Sequence, residues 1–283
     1  MLPIAEQELD APTLKELQRL QKSVDRLVTY AEQVAKAETV WISGRGSKAS
    51  KSAFTKIRET LSTMCIGPVR CSYCEDSGAT DIEHIFPKSL FPERAFLWGN
   101  YLYACSGCNG PKSNQFGYLF QGGVVEFKRV KNAALVPPPA GISALIDPRL
   151  EHPTRLLDLD LGGVAADGTV ISGTFMFLAK SGISAMEKCR AEFTINTLGL
   201  NREIVRVARK NAFGGFRARL REYVQELNQA AVPEALERLR SEIIGTPHLT
   251  VFFEMRRQRN LLPEIDQIFA AAPDTVAWDL TVK

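Results

Sequence analysis

The sequence predicts an α+β fold in which a small cysteine-rich core is flanked by mainly α-helical N-terminal and C-terminal regions. Apolar residues recur at three- and four-residue steps over most of both flanks, which is the period of an amphipathic helix. Two Cys-x-x-Cys pairs bracket a short central segment, and two segments with strand-like alternation follow it. We therefore divide the chain into an N-terminal arm (1–66), a core (67–118) and a C-terminal region (119–283).

The composition is typical of a globular protein. Apolar residues make up 45% of the 283 residues and charged residues 24%, and no stretch is apolar enough to span a bilayer. The first residues, MLPIAEQELD, lack the pattern of an export signal, so we expect a cytoplasmic location and no membrane partner. A net charge of +3 is too small to indicate nucleic-acid binding by itself.

The N-terminal arm is predicted to contain two helices. Apolar residues at helical spacing predict one helix from Thr13 to about Ala37, and Thr13 followed by Glu16 has the spacing of a capping box. A second helix is predicted around Ile57.

The C-terminal region is predicted to begin with two small hairpins and to continue as helices. The alternating segment Gly122–Val130 indicates a strand or hairpin, and the segment Leu156–Thr174 indicates a second hairpin with Asp167 and Gly168 at its turn. Four helices are predicted from apolar periods and from Gly, Pro and Asn punctuation, at 184–198, 202–227, 233–244 and 263–271. The second of them carries many basic residues, which could line a nucleic-acid groove or form a solvated or partner-binding face.

Four of the six cysteines form the two Cys-x-x-Cys pairs. Two residues between cysteines allow both thiolates to bind one ion from a tight turn, and two such pairs complete a tetrahedral zinc site. Because four thiolates fill the coordination shell, we expect one structural zinc ion that stabilises the core and takes no part in catalysis. The expected ligands are Cys71, Cys74, Cys105 and Cys108.

The segment between the cysteine pairs carries side chains that could take part in catalysis or metal binding. Glu83 and His84 are neighbours in an extended segment, where successive side chains point to opposite sides. A neutral imidazole can take a proton from water near neutral pH, and a carboxylate is a suitable ligand for a hard cation. A lone histidine is more often structural than catalytic, but His84 lies inside the cysteine frame.

This segment resembles the HNH, or ββα-metal, nuclease motif, in which two strands and a helix enclose one divalent ion. The resemblance implies that His84 is the general base, that Glu83 binds the ion, and that Asn109 completes the protein ligands. It further implies that Asn100 braces the loop between the strands and helps to orient the histidine, and that Lys112 contacts phosphate. Glutamate stands before the histidine where the family more often has aspartate. We expect the catalytic ion to be Mg²⁺ or Mn²⁺ and Asp81 to be structural.

A wider set of motifs resembles the HNH subunit of Septu-type and retron-associated anti-phage defence systems. It includes Ile146-Asp147-Pro148-Arg149, Asp158-x-Asp160 and the segment Thr197–Arg202. The resemblance implies that DNA is the substrate and that an ABC-type ATPase is the protein partner, with the flanking helices as the docking surface.

Two other functions are consistent with the sequence. The chain could be a non-catalytic zinc-stabilised module that binds DNA or a protein, although this leaves Glu83, His84, Asn100 and Asn109 unexplained. It could also be a restriction or homing enzyme of the HNH type that cuts without an ATPase.

Overall fold

We analysed a computed structural model of the chain, which describes residues 1–43, 46–127, 129 and 133–280. The fold is of the α+β class, with helices at both ends and four two-stranded antiparallel sheets between them in the described residues.

Three helices form the N-terminal arm: α1 (Ala11–Asp25), α2 (Tyr30–Ile42) and α3 (Lys48–Met64). Helix α3 confirms the helix predicted around Ile57, and its apolar face packs on α1. The single helix predicted from Thr13 to Ala37 is wrong, because the chain leaves the helix at Arg26 and starts α2 after Thr29.

The caps of these helices explain that difference. The N-cap residue of α1 is Asp10, whose side chain accepts the backbone N–H of Thr13, so the predicted capping box at Thr13 is wrong. A capping box is present one helix later, where Thr29 and Glu32 satisfy each other's backbone donors at the start of α2. Both helices bury their apolar stripes in the same core, and for this reason the hydrophobic period continues across the break.

The cysteine-rich core contains strand β1 (Asp81–His84), strand β2 (Tyr101–Ala104) and helix α4 (Ser106–Lys112). The two strands pair antiparallel, with Asp81 opposite Ala104 and His84 opposite Tyr101. Helix α4 follows β2 directly and contacts β1. Each strand is four residues long, and residues 85–100 form the connection between them.

The predicted hairpins are present in the described residues. Strands β3 (Phe116–Phe120) and β4 (Gly123–Phe127) pair across a two-residue turn. Strands β6 (Gly162–Val164) and β7 (Val170–Ser172) pair around the predicted turn at Asp167 and Gly168, and β5 (Leu157–Leu159) pairs with β8 (Phe177–Ala179) outside them. Two residues of the predicted Gly122–Val130 strand, at positions 128 and 130, lie outside the described residues.

Helices complete the C-terminal region. The four predicted helices are confirmed as α5 (Ala185–Thr197), α6 (Glu203–Asn228), α7 (Pro233–Ile244) and α9 (Pro263–Ala271). The sequence analysis missed α8 (Leu249–Arg257) and the short α10 (Asp274–Ala277). Helix α8 follows His248, which has a φ of +63° and makes no side-chain cap, so α8 lacks the Ser or Pro start signal that marks α5, α7 and α9.

One hydrophobic core joins the three regions. Its buried members include Leu17 and Ile57 from the arm, Tyr101 from the cysteine-rich core, and Leu198 and Phe252 from the C-terminal region. Among the described residues, none of the helices has the length and apolar character needed to cross a membrane.

Candidate metal and catalytic site

The four predicted zinc ligands lie together. The sulfur atoms of Cys71, Cys74, Cys105 and Cys108 are all within 4.8 Å of one another, and all four residues are buried. The Sγ atoms of Cys74 and Cys105 are 3.8 Å apart. Tetrahedral zinc with Zn–S bonds of about 2.3 Å requires sulfur atoms about 3.8 Å apart, so the cluster fits one zinc ion.

Backbone hydrogen bonds close the first cysteine turn and hold it against β2. The Cys71 N–H donates to Ser77 O at 3.0 Å, and the Ser72 N–H donates to Tyr103 O at 2.9 Å. Cys105 is the N-cap residue of α4 and Cys108 lies one turn later in that helix. The metal site thus joins the first turn, β2 and α4.

His84 is the last residue of β1, and its ring is enclosed by aromatic side chains. The ring centroid of Trp41, on α2, lies 4.3 Å from that of His84, and the Tyr101 ring lies 5.2 Å away. His84 Nε2 is 2.9 Å from Ala95 O. A carbonyl only accepts hydrogen bonds, so this contact assigns the proton to Nε2 and the lone pair to Nδ1 when the imidazole is neutral.

Asn100 braces the loop that connects the two strands. Its side-chain oxygen accepts the Phe86 N–H at 2.7 Å, and its amide nitrogen donates to Phe86 O at 3.0 Å and to Arg94 O at 2.9 Å. Asn100 is buried. The loop that supplies Ala95 O to His84 is therefore tied to the start of β2 by one side chain.

Helix α4 contacts β1 through two polar pairs. Asn109 Nδ2 donates to Asp81 Oδ2 at 3.0 Å, and Lys112 Nζ lies 2.5 Å from Glu83 Oε1. Asp81 and Glu83 are two residues apart on a strand, and Asn109 and Lys112 are three apart on a helix. In each case this spacing puts both side chains on one face.

The position of Lys112 differs from the expected contact with phosphate. Its side chain is buried, and Nζ also donates to His84 O at 2.7 Å. Burial raises the pKa of Glu83, and the nearby ammonium of Lys112 opposes that rise. In this arrangement Lys112 compensates a buried carboxylate, which keeps it away from the surface that a phosphate would reach.

A cavity of about 320 Å³ opens over these residues. Its walls include Asp81, Glu83, His84 and Asn109, which are all side chains that could bind or activate a ligand. Three of these four were predicted as site residues. Asp81 was expected to be structural, yet it lines the same cavity and contacts Asn109 directly.

Two further residues of the cavity wall were not predicted as site residues. Lys88 is half-buried at the cavity, where it supplies a positive charge that Lys112 does not. Its position four residues after His84 was a signal that could have identified it. Trp41 comes from α2, far from the motif in sequence, and no local pattern marks it.

Two arginines of the C-terminal region connect to this core. Arg149 Nη1 donates to Trp98 O at 2.8 Å and to Tyr101 O at 2.6 Å, at the start of β2. Arg202 contacts the second cysteine pair. Both residues belong to the motifs of the wider resemblance.

Four further basic residues of α6 contact different neighbours. Arg209 is buried under the Phe177 ring, and Arg206 donates to Thr174 O at 3.1 Å. Arg217 and Arg221 both pair with Glu264 on α9. These four members of the basic run are therefore divided among several neighbours.

Comparison with family models, with curated proteins and with solved structures gives no match for this chain.

Proposed function

We propose that this protein is a metal-dependent endonuclease of the HNH type that hydrolyses phosphodiester bonds of DNA. One observation carries the proposal. A histidine with an assigned Nε2 proton, two carboxylates and an asparagine surround a single cavity on a hairpin and helix that a four-cysteine cluster holds together.

His84 acts as the general base in this proposal. With its Nε2 proton directed to Ala95 O, Nδ1 is the atom that accepts a proton from water. The water oxygen then forms a bond to phosphorus, and the bond from phosphorus to the leaving oxygen of the sugar breaks. Trp41 and Tyr101 fix the ring plane, so little orientation has to be gained when substrate binds.

Hard oxygen ligands near His84 suit Mg²⁺ or Mn²⁺. Glu83 and Asn109 are the ligands implied by the resemblance, and the contact between Asn109 and Asp81 supports Asp81 as a further carboxylate ligand. A bound divalent ion would supply charge stabilisation for the phosphate and the leaving oxygen. Because Glu83 is paired with Lys112, Asp81 is the carboxylate of the two that is better exposed to the cavity.

The defence role rests on the wider sequence resemblance. In this reading the chain is the effector nuclease of an anti-phage system and works with an ABC-type ATPase. Co-expression with a candidate ABC-type ATPase tests the partnership. Recovery of a complex on size-exclusion chromatography supports it, and separate elution of the two chains contradicts it.

Plasmid cleavage by wild-type protein and by the His84→Ala variant tests the nuclease activity. We expect cutting with Mg²⁺ or Mn²⁺ and none with excess EDTA, and we expect the variant to lose it by at least about 100-fold, which is typical for a general base. The zinc content of the variant should stay at one ion per chain. The His152→Ala variant is the matched control, since His152 pairs with Thr154 and does not line the cavity.

The outcomes separate the alternatives. Equal cutting by wild type and His84→Ala removes His84 as the base. Binding of DNA without cutting under any metal condition favours the zinc-stabilised binding module, a reading that the buried Glu83–Lys112 pair also favours. Full activity without an ATPase favours a stand-alone restriction or homing enzyme.

A further inference from the structure

Arg202 lies at the start of α6, where its guanidinium group contacts the cysteine cluster. Nη1 donates to the backbone oxygen of Gly107 and, at 3.3 Å, to that of Leu198. Nη2 lies 3.6 Å from the sulfur of Cys108. One side chain therefore connects the end of α5, the start of α6 and the turn between the last two cysteines.

Two glycines make room for this guanidinium. A Cβ atom on Gly107 would lie 3.2 Å from Arg202 Nη2, which is too close unless the arginine moves. A Cβ atom on Gly199 would lie 3.3 Å from Arg202 Nη1, and Gly199 also has a φ of +57° that favours glycine. The glycine of Cys105-Ser-Gly-Cys108 and the glycine of Thr197-Leu-Gly-Leu-Asn-Arg202 thus border the same side chain.

A zinc-loaded site would carry negative charge beside Arg202. Four thiolates around one Zn²⁺ carry a net charge of −2, and all four cysteines are buried. A buried charge needs a compensating partner or hydrogen-bond donor. Arg202 supplies both at Cys108, and Arg209, buried further along the same helix, interacts electrostatically with Cys74 and Cys108.

We propose that Arg202 is part of the zinc centre, where it donates a hydrogen bond to the zinc-bound thiolate of Cys108 and fixes the turn at Gly107. The hydrogen bond draws electron density from the sulfur, which makes the thiolate a weaker base and a weaker nucleophile. The same contact fixes the start of α4, the helix that carries Asn109. This inference does not depend on nuclease activity.

Zinc retention is the first test. Zinc affinity is measured by competition with a chromogenic chelator for wild type, Arg202→Ala, Arg202→Lys and the control Lys210→Ala. Loss of a hydrogen-bonding partner of a metal ligand typically lowers metal affinity by about 10-fold to 100-fold. We expect this loss for Arg202→Ala. We expect a smaller loss for Arg202→Lys, because lysine keeps the positive charge but lacks the two terminal nitrogens of the guanidinium group. Lys210 is exposed on the same helix, so the control Lys210→Ala should leave the zinc affinity unchanged.

A spectroscopic measurement separates a hydrogen bond to sulfur from general stability. In the Co²⁺-substituted protein, the sulfur-to-cobalt charge-transfer absorption reports electron density on the thiolates. Arg202→Ala should shift this absorption and increase the rate of thiol alkylation. Unchanged zinc affinity together with an unchanged cobalt spectrum overturns the proposal.

The Gly107→Ala variant provides a second route if Arg202→Ala does not fold. Alanine usually stabilises a helix relative to glycine, but here its methyl group would displace the guanidinium. We expect Gly107→Ala to weaken zinc binding more in the wild-type background than beside Arg202→Lys, where the guanidinium that it displaces is already absent. Equal effects in the wild-type and Arg202→Lys backgrounds would show that Gly107 acts independently of Arg202, which contradicts the proposal.

Discussion

At the scale of single residues, the Glu83–Lys112 pair combines two opposing effects. Both side chains are almost fully buried, and burial of each charge costs free energy that their mutual attraction only partly offsets. The pair is nevertheless strongly coupled, because removing one partner leaves the other charge buried alone. It lies beside the cavity, so its loss would also disturb the end of β1.

We expect Lys112→Met to lower the free energy of unfolding by about 3–5 kcal/mol, the usual cost of an uncompensated buried charge. The double variant Glu83→Gln/Lys112→Met should lose less, because neither charge remains. Urea denaturation in the presence of zinc measures both effects. A loss in the double variant equal to the sum of the losses in Lys112→Met and Glu83→Gln would show that the two side chains act independently.

Asp147 provides a pH-dependent contribution to stability. Burial raises the pKa of its carboxyl to about 6, although the backbone N–H of Arg149 donates to the carboxylate at 2.9 Å. The folded protein therefore binds this proton more tightly than the unfolded chain, whose aspartates titrate near pH 4. The contribution of Asp147 to stability is greatest below pH 4 and is lost as the pH rises to about 6.

Asp147→Asn should therefore stabilise the protein more at pH 8 than at pH 5, by about 1 kcal/mol in the free energy of unfolding. Urea denaturation at the two pH values, with zinc in excess, measures the difference. Asp167→Asn is the comparison, since that aspartate is exposed and hydrogen bonds from Thr169 lower its pKa. An equal gain for Asp147→Asn at both pH values would contradict the raised pKa.

At the scale of elements, the loop between β1 and β2 determines the position of His84. Asn100 holds this loop with three hydrogen bonds, and the loop in turn holds the imidazole through Ala95 O. Asn100 is thus a positioning residue, separated from the cavity by the loop that it braces.

Asn100→Ala should lower cleavage by more than 10-fold while zinc content stays unchanged, because truncation leaves buried backbone groups of the loop without partners. Amide hydrogen exchange should increase over residues 86–95 and remain unchanged in α6. Asn100→Asp keeps the acceptor for the Phe86 N–H and should protect that amide better than alanine does. Normal cleavage combined with faster exchange would show that the position of this loop does not affect cleavage.

The elements that could be predicted are those whose signals are local. Pro233 and Pro263 start α7 and α9, and Ser184 caps α5. The first residues of these three helices could therefore be predicted from local start signals. The break between α1 and α2 was not predictable from the apolar period, because both helices face one core. Helix α8 was not predicted because it starts after His248 without a Ser, Thr, Asp, Asn or Pro signal at its N-terminus.

At the scale of the whole molecule, the zinc ligands and Glu83-His84 were predictable because the residues of each motif lie only a few positions apart in the sequence. The surroundings of these residues were not. Trp41 reaches His84 from α2, and Arg202 reaches Cys108 across a large part of the chain. Lys112 has the expected spacing, but only tertiary packing decides that its ammonium is buried against Glu83. The contacts around the site could therefore not be predicted, because they depend on where side chains point in the folded protein.

The same packing bears on whether the arm, core and C-terminal region unfold separately. The three tryptophans provide one probe for each, namely Trp41, Trp98 and Trp278. Buried apolar residues of all three regions share one core, and Arg149 and Arg202 join the C-terminal region to the core. If this connection governs stability, the cysteine cluster should stabilise the whole chain, because metal binding to a folded site is linked to folding.

We expect removal of zinc by a strong chelator to lower the unfolding temperature reported by every tryptophan. The measurement uses three variants that each keep one tryptophan and replace the other two with phenylalanine, scanned with and without chelator. Coincident transitions that shift together indicate one cooperative unit, since different probes agree in a two-state process. A shift of Trp98 alone would instead show that residues 67–118 unfold as a domain of their own. Re-addition of zinc should restore the original transition, whereas Mg²⁺ should not, because thiolate ligands favour zinc.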